Sequence, residues 1–231
     1  MVVQVYADLG SQPCRALVVF LKHTAIPFEI VDIDLAKGDH RKPEFAAINP
    51  MMQVPAIKDG DFCLSESVAI FRYLATKYAE DVPDYWYPKE IEKRAKVDEY
   101  MAFHHQGIRE TIDGLFMAEV LLPLIANISA SEETIKEKEK IVRKALSTFE
   151  RVFLGGKPFI LGDEISYADI MVVSEMIQHT VSGRHVSEGN QNLEEYVNRV
   201  RDRLNPAFDE VFDVIYKWRD DYLKGKQKTD K

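Results

Sequence analysis

Cysteine is scarce: Cys14 and Cys63 are the only two in 231 residues. Two thiols make no disulfide framework, so a reducing compartment is the simpler reading. Long apolar runs are missing too. The longest aliphatic stretches, 16–21 and 121–126, fall far short of the roughly 20 residues needed to span a bilayer. No basic segment followed by an apolar one opens the chain, which leaves a secretory leader unsupported. Positive charge is in deficit, with 30 Lys and Arg against 38 Asp and Glu and a net charge of -8. That balance argues against non-specific binding to nucleic acid or anionic membrane. Internal repeats and low-complexity tracts are absent, and the charge run 136–140 reads as a solvated helix face. The expectation is a soluble, cytoplasmic globular protein, long enough for one large domain or two modest ones.

What is present divides the chain in two. Val2, Val3, Val5 and Tyr6 mark a strand over 1–6, and Pro13 opens an apolar-periodic helix to about residue 23. A second strand follows at 28–33, then a short helical or irregular segment at 41–48. Asp59-Gly60-Asp61 between the apolar runs 55–58 and 62–64 is a hairpin signal. A helix over 66–78 offers Val68, Ile70, Phe71, Leu74 and Ala75 as its buried face. This β-α-β-α-β-β-α order suits one α/β domain over 1–79. Pro83 and Pro88 interrupt periodicity in 80–88, which reads as a linker carrying an aromatic plug.

Beyond the linker the strand signals vanish, so 89–231 reads as all-helical. A long pattern runs over 89–127, bent near Gly107, Gly114 or Pro123. Ser129-Ala-Ser-Glu132 reads as a capping box for the next helix, with the stripe Val142, Ala145, Leu146, Phe149, Val152 and Phe153. Ser166-Tyr-Ala-Asp169 is a second box. Helices follow at 170–176 and 193–204, and after Asn205-Pro206 a last one carries Phe208, Val211, Phe212 and Ile215. From about Lys224 the chain reads as a frayed polar tail.

The chemistry starts at Asp8-Leu-Gly-Ser11-Gln-Pro-Cys14-Arg15, where the first strand becomes the first helix. Ser11 sets a hydroxyl at a helix N-terminus, where free N–H groups and the macrodipole favour negative charge. Taken alone it is an N-cap worth about 1 kcal/mol. The turn resembles the Cys-x-x-Cys turn of thioredoxin-like domains with serine replacing the first cysteine, a poor redox group but a good donor to a ligand's thiolate. Val54-Pro55 before a strand suits a proline locked by context, the cis form included. Ser65-Glu66-Ser67 opens a helix with donors for a carboxylate, and Glu66 is placed to pair with an amino group. His40-Arg41 offers donors to a second carboxylate. Arg109, near His104, His105 and Gln106, reads as a salt-bridge partner or as a cation steadying an anion at Ser11. Each element alone has a plain structural reading as cap, turn or surface. Together they suit a ligand with a carboxylate at each end, an amino group and a central thiol, which describes glutathione.

The chain resembles the glutathione S-transferases, most of all the theta class, from Val5 to about Phe212. The carriers are the Ser11 segment, Asp34-Leu-x-Lys-Gly38-x-His40, Gln53-Val-Pro55, Lys58-Asp-Gly-Asp61, Glu66-Ser67 and Trp86-Tyr-Pro88. The pattern continues with Ile108-Arg109 and with Phe159-Ile-Leu-Gly162 through Ala168-Asp169. The resemblance implies a thioredoxin-like α/β N-terminal domain, an all-α C-terminal helical domain forming the electrophile pocket, and a homodimer. It implies glutathione as co-substrate, a small hydrophobic electrophile, no other cofactor and no metal. By the same resemblance Ser11 would stabilise the glutathione thiolate, and Arg109 would assist there or at the leaving group. His40 and Arg41 would hold the glycyl carboxylate, and Val54 the cysteinyl backbone beside cis-Pro55. Glu66 and Ser67 would receive the γ-glutamyl end, and Asp169 would cap a buried helix. Gln53 and Gln106 belong to the glutathione set, although theta relatives often carry a lysine and an acidic residue near those positions. The chain also reads as lacking the extended tail that covers the active site of some theta enzymes. Leu9, Ile112, Phe116 and Met117 are candidate liners of the electrophile pocket, and Cys14 reads as a packed thiol. The alternative is a non-catalytic binding or dimerisation protein on the same fold; Ser11, His40, Glu66 and Ser67 argue against it.

Overall fold

Along Val3–Ala7 (β1) buried Val3, Val5 and Ala7 alternate with half-buried Gln4 and Tyr6, the period of a strand whose one face lies on a core. In the computed structural model, which describes residues 2–229, β1 is an inner strand of a four-stranded sheet ordered β2-β1-β3-β4. Phe28–Asp32 (β2) runs parallel to it. Parallel neighbours need a crossover, which Gln12–Lys22 (α1) supplies. Ala56–Asp59 (β3) pairs antiparallel with β1, and Phe62–Ser65 (β4) returns along β3. Gly60, at φ 64, makes the turn between them. The segment expected to be irregular is a 3-10 turn, Asp39–Arg41, followed by Pro43–Ala46 (α2). α2 sets Phe45 in a small cluster with Ile33 and Ala56. The main core takes α1 and Ser67–Lys77 (α3), which meet edge to face through Phe20 and Phe71.

Trp86 lies in the segment read from the sequence as a linker with an aromatic plug. It is fully buried, with its ring 5.2 Å from that of Phe20 and 6.1 Å from that of His23. The helical part begins with a rod built of Ile91–His104 (α4), Glu110–Phe116 (α5) and Leu122–Ala126 (α6). Two π-helical turns, His105–Arg109 and Met117–Leu121, join the pieces. The first contains Gly107, where an added Cβ would fall 2.3 Å from the Phe103 ring. Of the three positions offered for a bend, Gly107 falls within a π turn and Pro123 just after one. Glu132–Phe149 (α7), Tyr167–Gln178 (α8), Gln191–Leu204 (α9) and Ala207–Thr229 (α10) complete the part. Among the described residues no helix is long and apolar enough to cross a membrane.

Several local expectations need correction. The cap of α7 is Ser131, whose hydroxyl accepts from Thr134 N, and not Ser129 two residues earlier. Val152 is exposed because α7 gives way to a π turn, Glu150–Leu154, which changes the phase of the stripe. The tail expected to fray from Lys224 stays helical through Thr229; Asp230 and Lys231 lie outside the described residues. Ile112 and Phe116, offered as pocket liners, are buried in the core, where Phe116 meets Trp218 edge to face.

The centre of the helical part is α8, buried at every residue. Its capping box forms as expected: Asp169 accepts from Ser166 N, Ser166 Oγ, Ile160 N and the Tyr196 hydroxyl at 2.8–2.9 Å. Replacing this carboxylate with a methyl group leaves several buried donors unanswered. Asp169→Ala should therefore cost on the order of 3 kcal/mol, read as a lower urea midpoint at unchanged m-value.

Glu119 offers a pH test. Its Oε2 lies 2.9 Å from His179 Nε2, and its Oε1 accepts from Arg184, which also binds Glu139. Burial raises the Glu119 carboxyl, but the bonds from His179 and Arg184 outweigh it and bring the group to about 2 from 4.5. A carboxylate depressed on folding contributes stability above its unfolded pKa and loses it as pH falls through the folded one. The stability gap between the native chain and Glu119→Gln should be full above about pH 5 and shrink towards pH 2, as followed by urea unfolding across that range.

Candidate functional site

β1 ends at Ala7 and α1 starts at Gln12, so Ser11 occupies the N-cap with extended backbone, φ -87 and ψ 131. The Asp8 carboxylate braces the loop by accepting from Gly10 N at 2.7 Å and Leu35 N at 3.0 Å. Ser11 N donates to Asp8 O at 2.9 Å. The Ser11 side chain makes no capping bond. The plain capping role is thus unfilled, and the hydroxyl stands half-buried at the helix mouth. It also faces Cys14. Burial pushes that thiol up to about 11, against smaller lowering from the Ser11 hydroxyl and the Asp8 backbone.

A cleft of about 220 Å³ opens beside the first turn of α1. Gln53, Val54, Pro55, Glu66 and Ser67 line it from the α/β part, and His105 and Arg109 from the long rod, with Pro13, Asn49 and Met51 completing the wall. Six residues singled out from the sequence therefore meet: Gln53, Val54, Pro55, Glu66, Ser67 and Arg109. The Val54–Pro55 peptide is cis. Asn49 shapes the turn before it. It is buried, donates from Nδ2 to Gln53 O at 2.8 Å and accepts Met51 N at 3.1 Å. The Asn-Pro pair was the available signal for that turn.

The start of α3 differs from the expectation. Ser65 ends β4, and Glu66 holds the N-cap position at φ 68 without a capping bond. A non-glycine residue in that region is strained, and such strain gathers at ligand sites. The first N–H groups of α3 carry no side-chain cap and remain available to a ligand.

Four other expected residues fall outside the cleft lining: Ser11, His40, Arg41 and Gln106. His40 lies half-buried on the 3-10 turn with Nδ1 buried and unpartnered, and Arg41 is exposed. Gln106 is exposed on the π turn, while His105 lines the cleft. Residues four apart share a helix face, so the spacing from Arg109 already favoured His105. None of the four residues offered as liners of an electrophile pocket borders this cleft.

Arg109 does not stand alone. Its Nη1 lies 3.3 Å from Glu175 Oε1, a fully buried carboxylate on α8 that the sequence reading missed. No local motif marks Glu175, because its partner is 66 positions away. Gln12 and Asp113 meet close by at 3.4 Å, and burial, then the charge of Glu175, raises the Asp113 carboxyl. Arg15, fully buried, is lowered to about 10 by desolvation.

Two family models match the chain: the glutathione S-transferase N-terminal domain over residues 1–76 and the glutathione S-transferase C-terminal domain over 113–204. Human glutathione S-transferase theta-1 is 40% identical over 221 residues, covering 95% of this chain and 91% of that protein. The solved structure of human glutathione-S-transferase T1-1 in its apo form superposes with a TM-score of 0.89, covering 94% of this chain and 91% of that one. Human glutathione transferase theta-2, solved in complex with glutathione and an unknown ligand, is 36% identical with a TM-score of 0.89, covering 96% and 91%.

The two thiols should be separable by reagent. Cys14 is buried with its thiol raised to about 11, whereas Cys63 is half-buried on β4. A brief pulse of iodoacetamide at neutral pH, followed by peptide mass spectrometry, should find Cys63 alkylated and Cys14 intact.

Proposed function

The chain belongs to the glutathione S-transferase family and is a theta-class-like glutathione transferase with glutathione as co-substrate, and on that premise we propose that Ser11 activates the thiol. A free thiol has a pKa near 8.5, so only a small fraction is thiolate at neutral pH. A hydroxyl donor at the α1 N-terminus favours the anion, and the thiolate then attacks an electrophilic carbon. With an alkyl halide the carbon–halogen bond breaks and halide leaves. With an epoxide the carbon–oxygen bond opens and the alkoxide takes a proton. With an organic hydroperoxide the thiolate attacks the outer oxygen instead, the O–O bond breaks and the alcohol leaves after taking a proton. A second glutathione turns the resulting sulfenic acid into the disulfide and water.

The remaining roles follow the polarity of glutathione. Ser67 and the uncapped N–H groups of α3 take the γ-glutamyl carboxylate, with Glu66 on the α-amino group. The Val54 backbone pairs with the cysteinyl residue beside Pro55. His40, Arg41 and Gln53 serve the glycyl carboxylate, and Gln106 completes the set. Arg109 steadies the sulfur or the leaving group, and the protein's contribution is positioning and electrostatics. In this reading 1–79 form the glutathione-binding domain, 80–88 the linker and 89–231 the domain that offers the electrophile pocket, in a cytoplasmic homodimer. The observation that carries the reading is the uncapped Ser11 hydroxyl beside a cleft that joins Val54-Pro55, Glu66-Ser67 and Arg109.

Ser11→Ala should lower kcat/KM for glutathione conjugation by roughly 100-fold or more. Glutathione binding, measured by calorimetry, should persist. Undiminished turnover would remove Ser11 from the chemistry, and an absence of glutathione binding by the native chain would sink the reading as a whole.

A further inference from the structure

One buried turn of α8 touches both sides of the site. Ser174, Glu175 and Gln178 are all buried there. Arg15 Nη2 donates to Gln178 Oε1 and, at 3.5 Å, to Ser174 O. Arg15 Nη1 donates at 2.8 Å to Leu9 O, two residues before Ser11, and the guanidinium lies 5.1 Å from the Phe212 ring centre. Arg15 thus ties the Ser11 loop to α8. From the same turn Glu175 Oε1 accepts from Arg109, whose side chain is 29% exposed and reaches the cleft.

The surroundings of Glu175 are unusual for a structural ion pair. Its Oε2 has no partner, and His104 Nε2, also unpartnered, stays 3.8 Å from Oε1. His104 is held by the Tyr100 hydroxyl, 2.9 Å from its Nδ1. Replacing a buried ion pair with apolar residues of similar volume is often neutral or stabilising. An incompletely satisfied carboxylate at this depth is therefore poorly explained by stability. Its geometry has one clear effect, which is to fix a cation that enters the cleft.

We infer that Glu175 is a positioning residue that fixes the Arg109 guanidinium at the cleft, with α8 as the common anchor that keeps Arg109 and the Ser11 loop in register. The inference rests on the role proposed for Arg109 and names the group through which that role is set. Glu175 touches no substrate. It acts on the orientation of Arg109, while Arg15 and Gln178 hold the opposite side from the same helix turn.

The test is a double-mutant cycle on the full chain, with glutathione and a soluble alkyl halide, comparing the native protein, Glu175→Gln, Arg109→Ala and the double variant. Glutamine keeps the size of the side chain and one acceptor but removes the charge. The expected result is a fall in kcat of about tenfold or more for Glu175→Gln, with a smaller change in KM for glutathione. The double variant should be no worse than Arg109→Ala, because the two residues act as one unit. Multiplicative losses would mean that Glu175 acts independently of Arg109 and would overturn the inference. So would a normal rate for Glu175→Gln alongside a slow Arg109→Ala. A normal rate for Arg109→Ala would instead reject the Arg109 role itself, and the inference with it. Should Glu175→Gln fail to fold, Glu175→Asp keeps the charge, shortens the reach and is held to the same pattern.

Discussion

The rest of the molecule depends on a helix with no face to solvent. Every residue of α8 is buried, so each polar group on it must be answered from within the protein or left at a cost. Asp169 is answered four times, by a cap on its own helix, a loop and a tyrosine of α9. Burial nevertheless pushes its carboxyl up. Gln178 Oε1 and the Ser174 carbonyl accept from an arginine of the α/β part, while the Ser174 hydroxyl is left without a partner. Glu175 is answered by one from the long rod. Through these pairings the buried helix sets where its neighbours sit.

The cleft has a different origin. It is made of backbone that departs from regular structure: the Asn49 turn, the Val54-Pro55 peptide, Glu66 at positive φ and a π turn in the rod. Each leaves N–H or C=O groups, or a side chain, facing a shared space instead of a ladder or a helix interior. A rigid sheet and a buried helix hold these irregular pieces in place, which suits a site that works by positioning a small peptide-like ligand.

Much of the architecture was legible locally. Alternation in Val3–Ala7, the Asp59-Gly60-Asp61 turn and the Ser166–Asp169 box each rest on interactions between near neighbours, so short windows contain the whole cause. The misreadings have the opposite character. Val152 is exposed because a π turn changes the helix phase, and Ser131 rather than Ser129 caps α7. Ile112 and Phe116 looked like pocket liners because an apolar stripe carries no label for which neighbour covers it.

By itself, the sequence determined the order of strands and helices, the change from α/β to all-helical organisation, and the residue types at the helix mouths of Ser11 and Ser67. Those are set by spacing, turn chemistry and side-chain period. Only the tertiary structure decided that Asn49 supports Gln53 and that Glu175 meets Arg109 from 66 positions away. The reason is physical. A buried charge chooses its partner by what desolvation and packing leave within reach, and that choice exists only once distant segments have been brought together.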